Sequence, residues 1–175
     1  GDRLAALTER GPRLELEDLD ATVGANRLLG TLRYREALAV DLTVDAPALE
    51  TLWPTLAGRL SGSVRARGAV DAPELRLDLA ATRFSLRDRG PAADRIAVNG
   101  TLALGGGAET GVTLAVTGLR PQPDAEGPAV DGEAVVTGTW PALQAELSAR
   151  SDGARLDGTV ATTLPTVEEA TVRAL

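Results

Sequence analysis

Apolar and polar side chains alternate along most of this chain with a period of two residues. Such alternation is typical of antiparallel β-strands that turn one face to an apolar interior and the other to water. The clearest stripe is formed by Leu75, Leu77 and Leu79, which alternate with charged residues. Similar stripes are formed by Leu14 and Leu16; by Leu38, Val40, Leu42 and Val44; by Leu60 and Val64; by Ile96, Val98, Leu102 and Leu104; by Val112, Leu114 and Val116; and by Leu156, Val160 and Leu164. The pattern predicts an all-β fold of roughly a dozen antiparallel strands.

Turn residues separate these predicted strands. The triplet Gly105-Gly106-Gly107 and the pair Asp152-Gly153 each lie between two stripes and predict hairpin links. The proline-rich stretch 121–128 is predicted to be a loop that joins two sub-repeats, 45–120 and 129–175, within a single domain that covers 1–175. Helix is expected only at 3–9 and at 47–53, where a proline occupies the first helical position.

Glycines recur at related positions in the predicted strands. A longer unit occurs twice, at 62–79 and 132–147, as a glycine-bracketed strand, a proline turn and a strand with alternating leucines. A shorter Gly-Thr-Leu or Gly-Thr-Val motif occurs at 30–32, 100–102 and 158–160. Glycine on the apolar side of a strand often marks a bend or a close approach of two backbones. These glycines therefore favour a sheet that curls, although chance recurrence in a glycine-rich chain is the simpler alternative.

The composition disfavours catalysis and nucleic-acid binding. The 175 residues include no histidine and no cysteine, so the usual bases, nucleophiles and soft metal ligands are missing. The net charge of −7 opposes binding to a phosphate backbone. The acidic pairs Asp18/Asp20 and Glu168/Glu169 lack the spacing of a calcium loop and are interpreted as solvated charges. We predict a non-enzymatic protein without catalytic residues, cofactor or metal.

One stretch resembles a known family. In Ala48–Leu75 a leucine-proline lead-in precedes a strand bracketed by Gly62 and Gly68, and Pro73 then introduces alternating leucines. This arrangement resembles the TamB proteins of Gram-negative bacteria, within the wider AsmA-like group. The match is close over 45–80 and looser over 130–150, and elsewhere it rests on the rhythm of the strands.

The resemblance implies a long protein that is anchored in the inner membrane and crosses the periplasm. Its β-rich body would be a U-shaped sheet, a β-taco, with an apolar concave face. Such proteins are implicated in moving phospholipid towards the outer membrane and, with a barrel partner of the TamA type, in outer-membrane protein assembly and secretion. The chain carries no apolar run of the roughly 18 residues that span a membrane and no signal segment. We therefore expect an internal segment that pairs with neighbouring segments of the same chain.

An apolar sheet face must be covered by something, and the predicted helices are too few to cover it. Periodicity alone does not separate a closed β-sandwich from an open curled groove, and the resemblance favours the groove. The residues predicted to line it and to bind phospholipid acyl chains are Leu42, Val44, Leu60, Val64, Leu75, Leu77, Leu79, Leu102, Leu104, Val112, Leu114, Val116, Val136, Leu143 and Leu147. Two alternatives stay open: a chaperone-like scaffold whose strand edges pair with unfolded outer-membrane proteins, and a plain sandwich module of the envelope.

Overall fold

The computed structural model describes residues 14–86, 90–105, 107–123 and 126–163. It confirms the all-β prediction, with ten strands in the described residues and a short 3₁₀ turn, Leu49–Thr51, inside the helix predicted at 47–53. The strands are β1 (Leu14–Val23), β2 (Asn26–Tyr34), β3 (Leu38–Ala46), β4 (Leu56–Ala69), β5 (Ala72–Leu86), β6 (Ala92–Ala103), β7 (Glu109–Leu119), β8 (Val130–Thr139), β9 (Ala142–Ser151) and β10 (Ala154–Thr163). The helix predicted at 3–9, Leu164 and the pair Glu168/Glu169 lie outside the described residues.

All ten strands form one antiparallel sheet in which strand order follows chain order. Among the strands of the described residues, β1 and β10 are the two outermost and do not pair with each other, so these ten strands are not closed into a barrel. The described strands do not divide into two facing sheets, and the sandwich alternative is therefore wrong for this part of the chain. At about 4.8 Å between neighbouring strands, nine spacings give a sheet about 43 Å wide.

The two ends of the sheet differ in the length of their connections. At one end, here called the short-link end, two to five residues join β2 to β3, β4 to β5, β6 to β7 and β8 to β9. At the opposite, long-link end, two residues join β1 to β2 and β9 to β10, five (87–91) join β5 to β6, nine (47–55) join β3 to β4 and ten (120–129) join β7 to β8. The last of these includes the predicted proline-rich loop. β7 and β8 pair across it in the same sheet, and the division into two sub-repeats remains a proposal.

The backbone departs from a flat sheet at bulges and at glycines. Register shifts that add one residue occur beside Asp18 in β1, Arg83 in β5 and Gly118 in β7, all three with positive φ. Bulges of this kind bend a strand and increase its local twist. At Gly62 in β4 and Gly100 in β6, an added Cβ would overlap a carbonyl oxygen of the following strand. These are the close backbone approaches that the glycine motifs predict, and they are consistent with a curled sheet.

The polar face carries cross-strand ion pairs. Arg65 and Arg67 of β4 both pair with Asp41 of β3, so these arginines lie on the polar face as the alternation predicts. Arg27 donates hydrogen bonds of 3.0 and 2.6 Å to Asp20 on the neighbouring strand, and this guanidinium holds the pKa of the Asp20 carboxyl below its ordinary value. These pairs are exposed, so they favour the register of the strands more than they stabilise the fold.

Candidate apolar groove

The opposite face of the sheet is built from four rows of side chains that run across the strands. Residues paired directly across antiparallel strands point to the same face, so the strand register defines each row. From the short-link end, row 1 contains Leu16, Leu32, Val40, Ala66, Leu75 and Leu102, then Thr110, Gly138, Leu143 and Thr162. Row 2 contains Leu19, Gly30, Leu42, Val64, Leu77, Gly100, Val112, Val136, Ala145 and Val160. Row 3 contains Ala21, Leu28, Val44, Gly62, Leu79, Val98, Leu114, Ala134, Leu147 and Gly158, and row 4 contains Ala46, Leu60, Ala81, Ile96, Val116, Gly132, Ala149 and Leu156.

The structure places nearly all of the predicted groove residues in these rows. Leu75, Leu102 and Leu143 lie in row 1; Leu42, Val64, Leu77, Val112 and Val136 in row 2; Val44, Leu79, Leu114 and Leu147 in row 3; and Leu60 and Val116 in row 4. Leu104 differs, because β6 ends at Ala103 and Leu104 lies in the following link. Its backbone N–H donates to the Pro73 carbonyl oxygen at 2.9 Å.

Sequence reasoning missed several members of the rows. In β1 the bulge beside Asp18 shifts the alternation by one residue, so Leu19 joins the apolar face although a strict period of two from Leu16 excludes it. In β2, Leu28 and Leu32 belong to the face while Leu29 lies on the polar side. The Gly-Thr-Leu motif at 30–32 was the signal that could have fixed the register of β2.

This apolar face is open to solvent. In the described part of the chain, buried side chains are few and mostly small, and four of the seven buried apolar residues are alanine. Among the described residues no large side chain is fully buried. Leu114, Leu147 and Leu156 remain 37 %, 43 % and 72 % exposed. The rows thus form an apolar surface without a dry core behind it.

Depressions lie on this face towards both edges of the described sheet. A cavity of about 400 Å³ near β10 has an apolar wall that includes Leu114, Val116, Leu147 and Leu156. A cavity of about 310 Å³ near β1 is lined by residues that include Leu28, Val44, Leu60 and, from the long link between β3 and β4, Leu52 and Trp53. We call these the β10 cavity and the Trp53 cavity.

Asn26 fixes the link that covers the Trp53 cavity. Asn26 is 4 % exposed; its Nδ2 donates to the carbonyl oxygen of Ala48 at 2.8 Å, and its Oδ1 accepts from the Ala48 N–H at 3.0 Å. Trp53 borders the cavity and is 54 % exposed. The Asn26–Ala48 contact therefore holds a large aromatic side chain at the rim of the apolar face.

This surface can bind a ligand only by burying the apolar parts of that ligand. The four rows contain no charged residue. The two buried polar residues, Asn26 and Thr110, both have hydrogen-bond partners, and no buried side-chain nitrogen or oxygen in the described part of the chain lacks one. In the same residues no cluster of three or more acidic, histidine or cysteine side chains is arranged for a metal ion. Such a face holds alkyl groups without directional contacts.

Comparison with a protein-family model identifies the family to which this chain belongs. The model of the N-terminal domain of TamB matches residues 8–157, which is most of the chain. The chain belongs to the TamB family. This confirms the resemblance found in Ala48–Leu75, and no solved structure matches the chain. TamB-family proteins are non-enzymatic components of the bacterial envelope, and membership indicates a role in the envelope assembly system. Within the described residues, none of the helical structure is long and apolar enough to cross a bilayer.

The Asn26 contact can be tested in this TamB-family sheet. Replacing Asn26 with alanine leaves the backbone N–H and carbonyl of Ala48 without their side-chain partner, and the free energy of unfolding is expected to fall by about 1–3 kcal/mol. Urea unfolding measures the loss, and the emission of Trp53 in a Trp140→Phe background reports release of the link. Asn99→Ala, at an exposed position in β6, is the matched control. Equal midpoints for the two variants would contradict a role for Asn26 in holding the link.

Proposed function

We propose that the apolar face of this sheet carries phospholipid acyl chains between the inner and outer membranes. The observation that supports this proposal is the open apolar face, whose leucines and valines remain partly exposed along rows 2 and 3. Soluble proteins rarely leave large contiguous apolar surfaces exposed unless these bind something. The proposed lining residues are those placed in the four rows, together with Leu104.

The physical basis of binding would be non-directional. Each buried methylene contributes about 0.8 kcal/mol, so a dozen methylenes give an upper bound of about 10 kcal/mol before ordering costs are subtracted. Rows 2 and 3 continue across all ten strands without a charge. An alkyl chain that moves from one strand to the next therefore exchanges one set of aliphatic contacts for a similar set. Such a surface would hold phospholipids without selecting the headgroup.

Membership of the TamB family supports a place for this activity in the bacterial envelope. We propose that the chain acts in the periplasm as part of a protein anchored in the inner membrane. We also propose that the whole protein works with an outer-membrane barrel partner of the TamA type. The uncharged rows fit a lipid ligand, and the net charge of −7 disfavours binding to nucleic acid.

Photo-crosslinking on the two faces tests the proposal. A photoreactive amino acid at Leu114, which is partly exposed in row 3, is expected to form adducts with phospholipid in living cells. The same group at Thr113, the adjacent residue on the polar face of β7, is the control and should give at least tenfold fewer lipid adducts. Mass spectrometry of the purified protein identifies what is attached. Polypeptide adducts at Leu114 without lipid would overturn the proposal and support the scaffold alternative.

A further inference from the structure

The link between β3 and β4 has a structure of its own. Nine residues, 47–55, join these strands, whereas two residues join β1 to β2 and β9 to β10 at the same end of the sheet. The extra residues form the 3₁₀ turn Leu49–Thr51. The N–H groups of Leu52 and Trp53 then both donate to the Leu49 carbonyl oxygen, at 3.0 and 2.9 Å. A connection between two neighbouring antiparallel strands needs only a few residues, so this link does more than join them.

The link is docked on a buried patch at the end of the sheet. Ala46, Leu49 and Asn26 are three of the nine buried residues in the described part of the chain, and they lie in the link or beside it. Asn26 holds the link through its two hydrogen bonds to the backbone. The β1–β2 turn touches the link as well, because a Cβ added at Gly24 would stand 2.8 Å from the Thr51 Cγ2. The position of the link is therefore fixed at several points.

Leu52 and Trp53 form one wall of the Trp53 cavity, and the sheet forms the other. The sheet contributes Leu28 and Val44 from row 3 and Leu60 from row 4. The described residues that line the β10 cavity, in contrast, all belong to strands. A ligand in the Trp53 cavity therefore lies between a link and the sheet, whereas a ligand in the β10 cavity lies on the sheet.

The lining of the Trp53 cavity favours an alkyl chain over a polypeptide. β2, β3 and β4 are each paired on both sides, so none of them offers a backbone edge to an incoming strand. A peptide in the cavity would bury N–H and C=O groups without partners. The two polar lining residues are already engaged, the Asn26 amide with Ala48 and the Arg27 guanidinium with Asp20. An alkyl chain carries no group that needs such a partner.

We propose that the Trp53 cavity is a holding site for one acyl chain of a phospholipid, inserted between the link and the sheet. The inference rests on the proposed function and adds a fixed site to the apolar rows. Apolar binding grows with the area that is removed from water. A chain between two apolar walls loses more contact with water than a chain on the open rows, and it therefore dissociates more slowly. Asn26 is the positioning residue that keeps the wall formed by Leu52 and Trp53 in place.

Lipid exchange followed by photo-crosslinking separates a holding site from a surface that lipid only crosses. A photoreactive aromatic amino acid replaces Trp53, Leu114 or Glu50 in the full-length protein. The purified protein is mixed with vesicles of phosphatidylethanolamine that has deuterated acyl chains, and it is illuminated at increasing times. The mass of each adduct distinguishes lipid retained from the cell from lipid that has exchanged.

We expect retained lipid at Trp53 to persist at least about tenfold longer than at Leu114. Glu50, which is exposed on the same link and does not line the cavity, should give no lipid adduct. Equal exchange at Trp53 and Leu114, or polypeptide adducts at Trp53, would overturn the proposal. Lipid adducts at Leu114 without any at Trp53 would overturn it and leave the proposed function intact, whereas the absence of lipid at both positions would overturn both.

Removal of the Trp53 side chain tests the wall itself. Trp53 is half exposed, so Trp53→Ala is expected to keep the circular dichroism spectrum of the wild type. A photoreactive leucine analogue at Leu60, on the opposite wall, should then lose its retained lipid at least about tenfold faster. Trp53→Phe, which keeps an aromatic wall, and Glu50→Ala should both stay within about twofold of the wild type. Unchanged retention at Leu60 in Trp53→Ala would overturn the proposal.

Discussion

Replacing Leu77 with aspartate in the full-length protein is expected to abolish the proposed phospholipid transport. Leu77 lies in row 2 between Val64 of β4 and Gly100 of β6, near the middle of the sheet. A carboxylate there must either lose water beside an alkyl chain, at a cost of several kcal/mol, or keep its water and interrupt the apolar row. We expect phospholipid bound per protein to fall at least tenfold, measured by native mass spectrometry, and Leu114→Asp to give the same loss nearer β10.

The neighbouring residue supplies the control for this change. Arg76→Asp introduces the same carboxylate one residue away, on the polar face, where Arg76 stands directly opposite Arg65. It removes a like-charge pair and should leave lipid binding within twofold of the wild type. Circular dichroism checks that each variant retains its β content. If Leu77→Asp remains folded and transports lipid normally, row 2 does not carry the acyl chains.

Gly62→Val is expected to destabilise the sheet strongly. Gly62 has a φ of +140°, and a Cβ at this position would overlap the Asp78 carbonyl oxygen and stand 2.8 Å from the Leu79 Cα. The strained backbone and the collision with the β5 backbone together predict a loss of about 3–5 kcal/mol in the free energy of unfolding. Because single domains are stable by only about 5–15 kcal/mol, urea unfolding should show a large fall in the midpoint.

Gly111 offers a matched position without these constraints. It lies in β7 on the polar face, opposite Thr101 and Thr137, and nothing lies within 4 Å of a Cβ built on it. Gly111→Val is expected to be neutral or slightly stabilising, because β-branched residues suit an exposed strand position. If Gly111→Val lowers the free energy of unfolding as much as Gly62→Val does, the close approach of the β4 and β5 backbones is not the cause of the loss.

The strands and their faces could be predicted from the sequence because the side-chain period of a strand is two. Leu75, Leu77 and Leu79 share a face for that reason, and the structure places them in adjacent rows. Sequence reasoning missed Leu19 and extended a strand to Leu104, because local backbone geometry interrupts the period. Leu19 reaches the apolar face through the bulge beside Asp18, and β6 ends before Leu104. The position of a bulge depends on how two strands pair. The alternation of residues within one strand does not predict that pairing.

The sequence by itself determined the fold class, the family and the uncharged character of one face. Only the tertiary structure decided that the ten strands join in a single open sheet and that rows 2 and 3 run through every strand. It also showed that Asn26 and Ala48, far apart in the chain, hold the link beside Trp53. The physical reason is that alternation fixes the side of a strand on which a residue lies, whereas the choice between a second sheet and open solvent depends on long-range pairing.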